Sequence, residues 1–144
     1  MVLSRKPTAA TGPVNGRLAS CSSQPNCVSS FATDPAHYVS PIAFSDSPQA
    51  AFERLRGVIA AMPGARIVRH TDDYLHAEFM SRMFGFVDDL ECLVDTVDRR
   101  IDIRSASRVG YYDFGVNRKR VEEIRARLTR QGRGGLDALF GKRS

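Results

Sequence analysis

Between Ala65 and Ser105 the chain divides into four short runs of strand character, and that pattern constrains its fold more than any other feature. The runs are Ala65–His70, Tyr74–Ser81, Phe86–Val94 and Arg100–Ser105. Thr71-Asp72-Asp73 separates the first pair at hairpin spacing, and Asp95-Thr96-Val97-Asp98 forms a turn between the last pair. A four-stranded antiparallel meander is the economical arrangement. Successive side chains of a strand point to opposite faces of a sheet. With the registers in agreement, Leu75, Ala77, Phe79, Leu90, Cys92, Ile101 and Ile103 share one face, which predicts the core. The opposite face then collects Tyr74, His76, Glu78, Asp89, Glu91, Asp102 and Arg104, so one face of the sheet is polar.

Helical signals flank the meander. Ser47 is placed to cap a first helix, Pro48 suits its first turn, and Phe52, Leu55, Val58, Ile59 and Met62 recur at helical spacing before Pro63-Gly64 ends it. Asn117 is placed to cap a second helix whose Val121, Ile124 and Leu128 make a narrow apolar stripe, with Gly132 as its stop. Leu136, Leu139 and Phe140 then form a short apolar cluster in the tail. The expected fold is α+β: a two-layer domain, the meander packed by two helices, with an extended N-terminal arm. Residues 1–19, rich in Ser, Thr, Pro and Gly, are expected to be disordered. Residues 20–131 form a single domain, with the arm over 20–46 and the helix-meander-helix unit over 47–131, followed by a basic tail over 132–144. Pro25, Pro35 and Pro41 forbid a regular helix in the arm, while its Val28, Phe31, Tyr38, Val39, Ile42 and Phe44 can pack against something.

At 144 residues and 42% hydrophobic composition, the chain can bury one core of ordinary size. It holds no apolar run near the roughly 20 residues that cross a bilayer. Leu18-Ala19-Ser20-Cys21 has the outline of a lipoprotein processing site, but Met1 to Arg17 lacks the apolar segment such a site needs. A soluble, cytoplasmic protein is expected. The net charge of +5 is uneven, because from Asn117 onward nine basic residues face three acidic ones. A basic terminal segment can attract nucleic acid or anionic lipid, although no aromatic residues interleave with these charges as base stacking requires. Cys21 and Cys27 can close a small loop in an oxidising compartment and stay reduced in the cytosol. Cys92, in an apolar strand pattern, reads as a buried small hydrophobe. A zinc knuckle is disfavoured, because the Cys21–Cys27 spacing is long and a second pair is missing.

Two constellations could carry chemistry. His76 and Glu78, two apart on a strand, share a face, and with Asp89 or Glu91 across the ladder they could serve acid/base catalysis or bind a divalent ion. Equally, that face can be a surface of ion pairs or lie under the arm. The second constellation runs from Arg104 through Ser105, Ser107 and Arg108 to Asn117 and Arg118. Guanidinium forks and helix-start amides suit a carboxylate or phosphate. The alternative is a rigid turn in which Arg104 and Arg108 pair with Asp88, Asp89 or Asp113. Nucleophilic catalysis lacks support, since Ser105 and Ser107 sit on no strand-turn-helix elbow and Cys27 has no identifiable histidine partner.

The strings Tyr74-Leu75-His76-Ala77-Glu78-Phe79, Gly85-Phe86-Val87-Asp88-Asp89 and Arg104-Ser105-Ala106-Ser107-Arg108-Val109-Gly110 occur in that order. With Asp113-Phe114-Gly115-Val116-Asn117-Arg118 and the earlier Pro25-Asn26-Cys27-Val28-Ser29-Ser30, they make the stretch from Cys21 to Leu128 resemble the family known as domain of unknown function 1499. The resemblance implies a small α/β domain with no assigned reaction or cofactor, in a family whose members often carry membrane or export segments. The expectation is a non-catalytic binding or accessory protein that recognises an anionic small molecule or a protein partner through the Arg/Ser loop and the polar sheet face. The alternatives are a small, metal-assisted enzyme using His76, Glu78 and Asp89 with Arg104, and weak nucleic-acid or membrane-surface binding by the basic C-terminal helix.

Overall fold

The computed structural model describes residues 11–81, 85–110 and 112–140, the stretch 132–140 as backbone only. Among these residues, six strands form one antiparallel sheet packed by two helices. In chain order the elements are β1 (Cys27–Ser29), β2 (Ile42–Ala43), α1 (Pro48–Ala60), β3 (Ala65–His70), β4 (Tyr74–Met80), β5 (Val87–Asp95), β6 (Arg100–Ser107) and α2 (Val116–Phe140). The sheet order is β1-β6-β5-β4-β3, with β2 also on β6.

The meander of β3 to β6 is present with the expected apolar face turned to the core, but the sheet does not stop there. Arm segments add two short strands along the outer edge of β6, pairing Cys27 with Ala106, Val28 with Ser105 and Ile42 with Ile101. The expected four-stranded sheet is thus six-stranded, because β6 would otherwise leave a row of backbone donors and acceptors unpaired. Segments of three and two residues, broken by proline, are too short to show an alternating pattern in sequence.

Helix α1 forms as its sequence dictates. The Ser47 hydroxyl accepts from the Ala50 amide at 3.1 Å, Pro48 occupies the first turn, and Ala51, Phe52, Leu55, Val58 and Ile59 are buried. Gly64 turns the chain into β3 at φ 79°, and a Cβ there would lie 2.5 Å from the Met80 carbonyl oxygen. Only glycine fits that approach. The start of α2 departs from expectation. Asp113, rather than Asn117, is the cap: its carboxylate accepts from the Gly115 amide at 2.9 Å and the Asn117 amide at 3.3 Å. Gly132 does not end the helix, which runs on to Phe140. The side chains of Leu136, Leu139 and Phe140, and the charged ends Lys142 and Arg143, lie outside the described residues.

The core forms between the helices and the predicted face of the sheet. Leu75, Ala77, Phe79, Leu90, Cys92, Ile101 and Ile103 pack there with Val121, Ile124 and Leu128 of α2. The Cys92 thiol is free and buried, and burial pushes its pKa up.

The polar face is not open to solvent. His76, Asp89, Glu91, Asp102 and Arg104 are all buried, Glu91 completely. Residues 11 to 19, which fall in the stretch expected to be disordered, lie against this face with Ser20 of the arm, while Met1–Ala10 are outside the described residues. Leu18 packs with Tyr74 and Leu93, and the Gly12 amide donates to Glu91 at 2.8 Å. Cys21 and Cys27 form a disulfide, the pairing expected only of an exported chain. Among the described residues no helix is long and apolar enough to cross a membrane.

Candidate functional site

The expected site residues fall into three separate places. On the polar face, β4 and β5 bring His76 and Glu78 beside Asp89, and Arg108, just past β6, reaches back across them. Asp89 accepts from His76 Nε2 at 2.7 Å and from Arg108 Nε at 2.7 Å, while Arg108 Nη2 donates to Glu78 at 2.6 Å. Arg66 closes the chain, 2.8 Å from the other Glu78 oxygen. Burial raises the Asp89 pKa, but hydrogen bonds from Arg108 and His76 outweigh it and the net shift is down. Glu78 is likewise held below its ordinary value, by Arg66 first and Arg108 as well. Arg108 therefore sits where a metal ion bridging the two carboxylates would sit. Among the described residues no group of three His, Cys, Asp or Glu is arranged to hold one.

One pairing along the same face, Glu91 takes the Tyr74 hydroxyl at 2.6 Å and lies 3.5 Å from Arg104. Glu91 Oε1 and Arg104 Nε are buried without a hydrogen-bond partner among the described residues. Burial lowers the Arg104 pKa, partly offset by the Glu91 charge, and burial with the Glu91 bond raises that of Tyr74.

Ser105, Ser107 and Asn117 belong to the opposite, helix-facing side. The Asn117 side chain, fully buried, accepts from Ser105 Oγ at 2.7 Å and donates to Ser107 Oγ at 2.9 Å and to Asp113 at 2.9 Å. It fastens the first turn of α2 to β6. Arg118 is elsewhere again, on the surface, donating to the carbonyls of Tyr38 at 2.8 Å and Ala36 at 3.1 Å. Arg125 does the same for Ser40 at 2.5 Å and Pro41 at 3.0 Å. Part of the basic surface of α2 thus clamps the arm. Of the arginines expected to greet an anion, Arg104 pairs with Glu91, which lies outside the expected partners Asp88, Asp89 and Asp113, Arg108 pairs with Asp89 and Glu78, and Arg118 holds backbone carbonyls.

What the sequence reading missed is a groove of about 550 Å³ at the end of the sheet beside α2. Its walls are mainly Pro63, Phe79, Met80, Phe86, Val109, Tyr112, Phe114 and Val116. The polar part of the lining includes Asp88 and Arg120, 2.9 Å apart. Arg120 also donates to Ser105 and Asn117 at 3.1 and 2.8 Å, and its guanidinium lies 4.6 Å from the Phe79 ring centre. Phe114 is 77% exposed and holds φ 55°, a conformation that side chains of this size avoid. Its ring packs edge-on against Tyr112 with centroids 4.8 Å apart. One signal was present in the sequence: Asp88 and Ser107 have the parity of the apolar face, so polar groups there break the pattern.

The architecture defines a small two-layer α+β domain, an antiparallel sheet with helices on one side. A family model described as protein of unknown function, DUF1499, matches residues 17–128, and the chain belongs to that family. Among curated proteins and among solved structures, nothing matches it.

Proposed function

We propose that this domain is a non-catalytic binding protein whose ligand site is the aromatic groove between the end of the sheet and α2. The groove itself carries the reading. At about 550 Å³ it falls within the roughly 300–1,000 Å³ of small-molecule sites, and its lining is mainly apolar with a few convergent polar groups, as such sites are built. The strained backbone that displays Phe114 at the rim is the kind of feature found at binding sites. Arg120 meets the groove already neutralised by Asp88, so the buried part of the ligand is uncharged and apolar or aromatic. The anion reading of the Arg/Ser loop is less well supported, because its guanidiniums and hydroxyls are engaged internally.

Uncharged probes test this on the full chain. Nile red and a series of aliphatic and aromatic alcohols are expected to raise Tm in proportion to their occupancy, whereas phosphate and citrate leave it unchanged. Phe114→Gly and Tyr112→Ala should each weaken Nile red binding about tenfold, the loss of one aromatic contact in a site of this kind. Stability should not fall in Phe114→Gly, because glycine relieves the left-handed backbone, a strain of about 1–3 kcal/mol. Unchanged dye binding in both variants, or stabilisation by anions that Arg108→Ala abolishes, would sink the proposal.

A further inference from the structure

The groove leaves the other side of the sheet unexplained, where charged groups are sealed by a short segment of chain. Val14 and Arg17 exchange backbone hydrogen bonds of 2.9 and 3.1 Å around Asn15 and Gly16, which hold φ of 53° and 73°. This makes a tight hairpin lying on the sheet. Among the described residues, few contacts hold it down. The Gly12 amide bonds Glu91, Leu18 is buried against Tyr74 and Leu93, Arg17 stacks 4.5 Å from the Phe31 ring centre, and the Ser20 carbonyl accepts a long 3.4 Å bond from Arg104. The next residue is Cys21, bonded to Cys27 of β1, which is itself paired to β6. The single covalent tie thus sits where the segment leaves the sheet.

We propose that the Cys21–Cys27 disulfide is a redox lock on a strap, Gly12 to Ser20, which seals the charged sheet face when oxidised and lifts from it when reduced. An external dithiol can supply the reduction. Its thiolate attacks one sulfur and breaks the Cys21–Cys27 bond, and its second thiol resolves the mixed disulfide. The two cysteines leave as thiols, having gained two electrons and two protons, and the dithiol leaves as its own disulfide. The bond fixes the point at which the strap begins, since it holds Cys21 against Cys27 of β1; breaking it leaves the strap joined to the sheet only through the free loop from residue 21 to Cys27. Without it, the few remaining contacts must hold the strap against its own conformational freedom. Beneath the strap are Arg104 and Glu91, whose Nε and Oε1 atoms already lack hydrogen-bond partners among the described residues. Opening lets water reach them, which favours the lifted state.

Hydrogen exchange on the full chain, oxidised and after reduction with a trialkylphosphine, tests the lock. The hydrogen-bonded strap amides of Gly12, Val14 and Arg17 are expected to exchange at least about tenfold faster on reduction, with those of β5 and β6 unchanged, and trypsin should cut after Arg17 correspondingly faster. Cys21→Ser should reproduce this without reductant, and Leu18→Ser should open the strap with the disulfide intact. If Cys21→Ser does not fold, reduction of the natural chain decides alone. Equal strap protection in both redox states overturns the proposal. So does loss of β5 and β6 protection together with the strap, which would make the disulfide a stabiliser of the whole fold.

Discussion

Replacing Glu91 with methionine is expected to lower the unfolding free energy by about 3–5 kcal/mol, the usual effect of leaving a buried charge without its partner. Glu91 is fully buried, and Arg104 beside it is 3% exposed. The guanidinium cannot move to water while the strap is closed, and burial already weighs against its charge. The same substitution orphans the Tyr74 hydroxyl and the Gly12 amide, which both use Glu91 Oε2. Adding Arg104→Met should recover about 2 kcal/mol or more, because removing both members of a buried pair is often close to neutral. Denaturant unfolding of the two single variants and the double gives the coupling directly. Single-variant losses below about 1 kcal/mol, with additive behaviour, would show that the pair does not act as a buried ion pair.

Arg108→Met should have a similar effect at neutral pH, about 3–5 kcal/mol, since it strips the cation from Asp89 and Glu78. Its pH dependence separates this mechanism from a packing defect. In the natural protein the folded pKa values of Asp89 and Glu78 lie below their ordinary values. Their contribution is therefore present above the unfolded pKa, near 4, and is lost as pH falls through the folded values. With Arg108 gone, burial of Asp89 loses its main counterweight, so the variant should lose less stability than the natural protein as pH falls from about 5 through 4 and below. The gap between the two curves should narrow across that window. A gap constant with pH would mean that Arg108 contributes through packing alone.

The internal use of these arginines explains why the site was only half legible. Alternation in β4, β5 and β6 placed Tyr74, His76, Glu78, Asp89, Glu91 and Arg104 on one face, and the ladder pairs them so: His76 with Glu91, Glu91 with Arg104, Glu78 with Asp89. What alternation does not report is what lies above a face. Thr11 to Ser20 contains few large apolar residues, and Leu18 alone is buried deeply. A segment that buries one leucine and satisfies one carboxylate looks like a disordered terminus in composition. Similarly, Asn117 has the residue type of a helix cap, but α2 already begins at Val116, and Asp113 takes the Gly115 and Asn117 amides at its start. That frees the Asn117 side chain for the junction with Ser105 and Ser107.

The groove was hidden for a different reason. Phe79 and Asp88 come from the meander, Tyr112 and Phe114 from the loop before α2, and Arg120 from the helix. No periodicity joins residues so far apart, and a concavity is a property of surfaces that meet only after folding. By itself the sequence determined the four strands of the meander, their inward and outward faces, the first helix with its Ser47 cap, and the family. These follow from local spacing, which the backbone enforces wherever the chain goes. Only the tertiary structure decided that the polar face is sealed, that Arg104 and Arg108 are braces and Arg118 a clamp, and that an aromatic groove opens beside α2. Each of those depends on which segment comes to lie against which, and that is settled by burial and charge pairing across the whole chain.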